Sequence, residues 1–346
     1  MFGAMRSNAT SGLPPSRTMQ TTRRRSRMRR ISSGKRIELT ERDIELFKLL
    51  NRYHFLRSNF LFAFLGGSSE TRFKERLGHL YHDGRYINRP EQQWQFANCR
   101  YMPVVHELDD RGEQVLRERG LTHGDSPLLK KGRMGAYRQF AHELMICDCM
   151  ASIELGVRQD PSLRFISWQQ IIAKAPEGTR KLDNPFAMPV SITYASPRTG
   201  ATQHADIKVV PDGLFGLEYE RDGSKVYRFF ALEADRNTQP VTRSDLQQSS
   251  YLRKILAYRQ ISVQGIHKSH LGLPNLLVLT VTTNERHMAS IMSLLRELAH
   301  EGKSRLFLFK TMSSLGDFNK APAPTGDMLT DSWQRVGYDA FRIDRP

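Results

Sequence analysis

The chain has 346 residues, of which 39% are hydrophobic and 9% aromatic, and a formal net charge of +16. That length suits about two domains of ~150 residues, and no apolar run approaches the ~20 residues that a membrane-spanning helix needs. So large a positive surplus argues against an anion-repelling enzyme surface and for an anionic partner, nucleic acid or an acidic membrane.

Residues 1–36 hold much of that charge, with basic side chains and no Asp or Glu. Rich in Ser, Thr, Arg and Pro and poor in large apolar groups, they are expected to be disordered, because burial cannot offset the entropy of ordering. The densest part is Arg23, Arg24, Arg25, Arg27, Arg29 and Arg30. It reads equally as an arm that neutralises phosphates and as a solubilising tail or an over-long gene start, with Met19 and Met28 as alternative initiators. No apolar stretch follows it, so it is not a secretory signal, although its Arg-rich, acid-poor character also mimics an organelle transit peptide. Cys99, Cys147 and Cys149 lack zinc-site spacing and are expected as reduced thiols. The expected location is cytoplasmic.

Order begins near Ile37. Thr40 is an N-cap with Asp43 in the capping-box position, and Ile44, Phe47 and Leu50 share one helical face. A second helical stretch runs from Leu56 to Leu65 and stops at Gly66-Gly67. A third helix, Glu70 to about Asp83, buries Phe73, Leu77, Leu80 and Tyr81 and ends at Gly84. Off its apolar side lie Arg72, Lys74, Arg76 and His79. Arg85-Tyr86-Ile87-Asn88-Arg89-Pro90 and Arg100–Val105 then read as a two-stranded wing, and 112–119 as a closing helix. Two amphipathic helices, a Gly turn and a basic third helix make a helix-turn-helix. The stretch from His106 to Gly112 resembles the tyrosine–x–leucine–threonine–x–x–glycine lead-in of winged-helix regulators, with His106 for the aromatic and Asp109 for the hydroxyl residue. Residues 37–120 are therefore expected to form a winged helix-turn-helix that contacts DNA through Arg72, Lys74, Arg76, His79, Arg85 and Arg89.

Residues 121–133 read as a linker and 134–312 as a second, larger α/β domain. It opens with a long helix at about 136–155. A short ambiguous stretch (163–172) and a Pro-containing loop (174–189) come next. Strand-like runs then occupy 190–194, 205–219 and 225–234, followed by a helix at 244–261, a strand at 275–283, a helix at 285–300 and a strand at 305–310. The tail, 313–346, reads as irregular.

Asp222-Gly223 between two apolar runs signals a type I′ hairpin. Residues symmetric about that turn then face each other: Glu220 with Lys225, Phe215 with Phe230, and Asp212 with Glu233. The two carboxylates come to lie on one side with Cβ atoms about 4.5–5.5 Å apart, and Asp235 lies on the same face. Acids so close call for a cation, and a divalent oxygen-liganded ion such as Mg²⁺ fits, held by Asp212, Glu233 and Asp235. His204-x-Asp206 reads as strand polarity rather than a metal site. Phosphate-binding Gly loops are absent.

Pro211-Asp212 on one strand and Glu233-x-Asp235 on the next resemble the PD-(D/E)XK restriction-endonuclease-like core. Over about residues 38–310, the whole pattern, including Leu-Glu-Ala-Asp-Arg and Lys254-x-x-x-Tyr258, is similar to the replication-relaxation family of plasmids and mobile elements. The resemblance implies a mixed central sheet, DNA as partner, and a nuclease-like site of Asp212, Glu233 and Lys254 with Glu143 as accessory acid. Asp235 stands where that core usually has lysine, so Lys254 would supply the cation from the next helix, where Gln247, Tyr251, Lys254 and Tyr258 are expected along one side. If active, the site performs metal-assisted phosphodiester hydrolysis. Two readings stand: a replication or mobilisation protein that nicks DNA, and a transcriptional or copy-number regulator with a vestigial nuclease fold. A third keeps the helix-turn-helix for protein contacts alone. A homodimer, and contacts with other replication or mobilisation proteins, are compatible with each; a membrane partner is not expected.

Overall fold

A computed structural model describes residues 25–96, 98–121, 137–196, 200–312, 314 and 321–346; the expected linker falls largely outside these. The N-terminal unit begins with α1 (Glu41–Tyr53), whose capping box forms between Thr40 and Asp43. Then come β1 (Leu56–Arg57), α2 (Ser58–Leu65) and α3 (Glu70–His79), followed by a π-helical turn at Leu80–Gly84. β2 (Ile87–Asn88), β3 (Val105–Leu108) and α4 (Asp110–Glu118) complete the unit. Its three short strands are antiparallel in the order β1-β3-β2. Leu56 and Arg57, expected in a helix, instead pair with His106 and Val105.

Residues 25–36, expected to be disordered, lie along this unit. The arginines find acids far off in sequence: Arg25 Nη1 donates to Asp83 at 2.7 Å, and Arg30 Nη2 to Asp109 at 2.7 Å. Composition alone misses such pairings because the partners are supplied by other elements.

α5 (Tyr137–Gln159) is buried on nearly every side and joins the two halves. Ala151 and Leu155 enter the N-terminal core, while Met145, Cys149 and Ile153 pack on the large sheet. Arg57 donates to Asp148 at 3.0 Å, and Arg52 and Tyr53 donate to Glu154 at 2.9 and 2.5 Å. Its buried Asp148 and Glu154 are each answered from the N-terminal unit, so the helix serves as a wall shared by both interiors.

The large domain continues with β4 (Leu163–Ile166), α6 (Trp168–Lys174), α7 (Glu177–Arg180), β5 (Met188–Ala195), β6 (Thr202–Val209), β7 (Gly213–Arg221) and β8 (Ser224–Asp235). It is completed by α8 (Tyr251–Val263), α9 (Ile266–Leu271), β9 (Leu277–Thr282), α10 (Glu285–Leu298) and β10 (Phe307–Thr311). β7 and β8 form the expected hairpin, with Asp222 and Gly223 at positive φ and Phe215 opposite Phe230. The run 205–219 splits at Pro211, which has no N–H for a ladder: β6 pairs with β5 in a separate two-stranded sheet. The helix expected from residue 244 begins only at Tyr251, behind the N-cap Ser250.

The C-terminal stretch is not irregular. After a short helix at Asp327–Thr330, β11 (Trp333–Arg335) and β12 (Tyr338–Phe341) extend the sheet to the order β12-β11-β10-β9-β8-β7-β4. Trp333 is fully buried, and the Tyr219 hydroxyl donates to the Ile343 carbonyl at 2.6 Å. These strands are too short, and too close to Pro and Gly, to show a period of two. β8, β9 and β10 are parallel; β4, β7, β11 and β12 run antiparallel to their neighbours, giving a mixed sheet with α5 on one face and α8 and α10 on the other.

Candidate functional site

Glu233 stands on β8 with its side chain toward α8, on the same strand face as Phe229 and Ala231. There Lys254 Nζ donates to its Oε2 at 2.5 Å and the Tyr258 hydroxyl donates to Oε1. Tyr251, Lys254 and Tyr258 share one side of α8, as the i, i+3, i+7 spacing dictates. Gln247 precedes the helix and does not join them. Burial pushes the Glu233 carboxyl above its ordinary range against the pull of Lys254; burial also opposes the Lys254 charge, but Glu233 and Asp212 outweigh it and raise its pKa.

Asp212 sits just before β7. The ladder stops at Gly213–Leu232, and the Asp212 side chain takes up the next donor, the Ala234 N–H, at 2.9 Å. Its other oxygen lies 3.4 Å from His142 Nε2 on α5. Burial opposes its charge, yet His142 and Lys254 hold the carboxyl below its ordinary range; in return, Asp212 lifts His142 despite that ring's burial. Asp212 and Glu233 therefore come together, as the hairpin register implies, and Lys254 joins them from α8.

Two expected members do not join them in the expected way. Asp235 is buried but bound elsewhere: His287 Nε2 on α10 lies 2.6 Å from its Oδ2, and the Thr238 N–H donates to Oδ1 at 3.0 Å. Glu143 accepts from Gln139 at 3.0 Å, and Cys147, one turn further along α5, donates to the Tyr53 carbonyl, so that side of α5 turns toward the N-terminal unit. His142, its neighbour, is the α5 residue that reaches the acids. His142 and His287 escaped the sequence because they arrive from helices 70 and 52 residues away from their partners.

Among the described residues no group of three or more His, Cys, Asp or Glu is placed to hold a metal. Asp212 and Glu233 remain as two adjacent oxygen donors, a set that suits Mg²⁺, which commonly takes one or two carboxylates and fills its other positions with water or phosphate. The cavity beneath Glu233 measures about 10 Å³, and a crevice beside Asp212 about 40 Å³. His204 and Asp206 lie on exposed β6 positions bonded to Thr193 and Ser191, as expected.

The basic residues of the N-terminal unit divide. Arg72 and Lys74 are exposed on α3, Lys74 paired with Glu70 at 2.8 Å. Arg76 is committed to the fold, donating to Asp43 at 2.5 Å and to the Glu38 carbonyl. His79 lies 3.2 Å from Asp83, Arg85 is exposed with left-handed φ, and Arg89 is buried over the Tyr81 ring at 4.0 Å. Helix periodicity for Arg72, Lys74, Arg76 and His79, and the wing reading for Arg85 and Arg89, show what can face outward but not what other elements claim.

A family model described as replication-relaxation matches residues 47–277. No curated protein and no solved structure matches the chain. No helix among the described residues is long and apolar enough to cross a membrane.

Proposed function

This chain belongs to the replication-relaxation family, and on that premise we propose that it is a DNA-binding protein of plasmid or mobile-element replication or mobilisation, with a nuclease-like site at the end of the β7–β8 hairpin. The observation that carries the reading is the meeting of Asp212 and Glu233 with Lys254. An antiparallel meander β4–β7–β8 followed through α8 by parallel β9 supports a likeness to the PD-(D/E)XK core. The four helices and small antiparallel sheet of residues 41–118 support a winged helix, with the exposed Arg72 and Lys74 of α3 facing a duplex.

Asp212 and Glu233 would hold the metal; when bound, Mg²⁺ polarises a phosphodiester and acidifies a water. The chain's own contribution is placement. Tyr258 fixes the Glu233 rotamer, and His142 and the Ala234 N–H fix Asp212. Lys254 draws Glu233 toward its ionised form against the effect of burial and carries the positive charge that stabilises charge developing on phosphate oxygens. In supercoiled plasmid incubated with Mg²⁺ or Mn²⁺, the wild-type chain should generate nicked circles, and Asp212→Asn and Glu233→Gln should not.

One observation favours a regulator that binds without cutting. Both Glu233 oxygens are already satisfied by Lys254 and Tyr258, and Asp235 by His287 and main-chain donors. A wild-type chain that binds duplex yet never nicks it under either metal establishes that second reading.

A further inference from the structure

We propose that the cleft between the arginine strap at 25–30, α3 and the β2–β3 connection binds one nucleotide unit of an unpaired DNA strand, its phosphodiester on the arginines and its base on Tyr101. This rests on the DNA-binding reading above but names a second site, apart from the exposed Arg72 and sharing only Lys74 with that α3 surface.

The cleft has a volume of about 690 Å³, within the range of sites that enclose small ligands and far larger than either cavity beside the acids. Its walls include Arg25, Arg27, Lys74, His79, Arg89 and Tyr101, with Glu75 as the one carboxylate. The strap is anchored, not adrift: Arg27 donates to the Arg100 and Met102 carbonyls, and Ser33 N donates to Asp83 at 2.7 Å.

Arg89 is the decisive residue. It is 8% exposed; its Nη1 donates to the Arg27 carbonyl at 3.0 Å, and its Nε has no hydrogen-bond partner. Asp83 and Asp109 answer Arg25 and Arg30, but no carboxylate pairs with Arg89 among the described residues. Burial, then the charges of Arg27 and Arg30, bring its pKa down to about 10. A buried cation crowded by like charges is costly unless an anion answers it. His106, also on the cleft wall, is 1% exposed and leaves Nδ1 without a partner. The fold thus carries unsatisfied buried polar atoms around a basic hollow.

Tyr101 supplies the second half. At 88% exposure it is the most solvent-open large aromatic among the described residues, and an open ring beside cations is the platform on which unpaired bases stack. A base within a duplex presents no free face to such a ring, which points to an unpaired strand.

Fluorescence anisotropy of the full chain with a labelled single strand of about 12 nucleotides, and with the same sequence as duplex, tests this. Tyr101→Ala, a change at an exposed position that leaves the fold intact, should weaken single-strand binding roughly 5- to 100-fold and leave duplex binding essentially unchanged. Arg27→Ala and Arg89→Lys should weaken it in the same direction. Single-strand affinity equal to wild type in Tyr101→Ala and Arg27→Ala overturns the proposal. So does displacement of the labelled strand by dTMP or inorganic phosphate at concentrations matching the unlabelled strand, which assigns the cleft to a free anion. Weakened duplex binding in Arg72→Ala, a position outside the cleft wall, with single-strand binding intact supports this site independently. Duplex binding unaffected by Arg72→Ala, with the Tyr101→Ala loss present, refutes the α3 reading and leaves the cleft standing.

Discussion

The acids of the large domain and the arginines of the N-terminal unit are both drawn into partly buried places, but they are answered differently. Around the hairpin end, Glu233 has Lys254 and Tyr258, Asp212 has His142 and a main-chain donor, and Asp235 has His287. In the N-terminal unit, Arg76, Arg25 and Arg30 find carboxylates, whereas Arg89 is left among other cations. A self-neutralised cluster keeps its geometry with no ligand present; an unanswered cation stores free energy that only an outside anion releases. On the proposals above, the comparison would separate a site whose residues position one another from one that awaits an outside anion.

The sharpest way to break it is Lys254→Met. Removing one partner of a buried pair should cost about 3–5 kcal/mol in urea unfolding, and adding Glu233→Gln should recover much of the loss; a loss near zero would mean that the acids are not held by their own cation. Arg76→Ala comes next, at about 1–3 kcal/mol, because it strips the guanidinium from buried Asp43. Arg72→Ala should stay within about 0.5 kcal/mol of wild type, yet lower the salt slope of duplex binding by about one. If the two arginines exchange these behaviours, the division between structural and DNA-facing residues is wrong.

Lys310 offers a comparison that depends on pH. Its Nζ donates only to the Asp327 and Asp331 carbonyls, over the Trp333 ring, and burial brings its pKa down from 10.5 to about 8. Because the folded chain releases this proton more readily than the unfolded one, Lys310 adds stability as pH rises from about 8 to 10.5; the contribution is fully present above 10.5 and lost as pH falls through 8. Urea titrations across that window should show wild type gaining on Lys310→Met with rising pH. Parallel curves would show that its ammonium costs nothing where it lies.

What the sequence disclosed depended on how far apart the partners lie. The Asp-Gly turn is a local signal, and from it alone the pairing follows up to Gly213–Leu232; Pro211 marks where it must fail. The approach of Lys254 to Glu233 was implied only by the family resemblance; helical spacing shows that Tyr251, Lys254 and Tyr258 share a side, not which strand they meet. His142, His287 and the seating of the strap depend on contacts that no periodicity encodes: Arg25 meets Asp83 at a separation of 58 residues and Arg30 meets Asp109 at 79. The C-terminal strands were hidden for a different reason, since three- and four-residue strands carry too few alternations to be recognised.

Because α5 contributes side chains to both hydrophobic interiors, it acts as a ruler rather than a hinge. Its 23 residues span about 35 Å at 1.5 Å each, and the Arg57–Asp148 and Arg52–Glu154 links pin the N-terminal unit along it. A nucleic acid seated on that unit is thereby held at one distance and one rotation from Asp212, so the offset between the segment gripped and the segment presented to the acids is a constant of the fold.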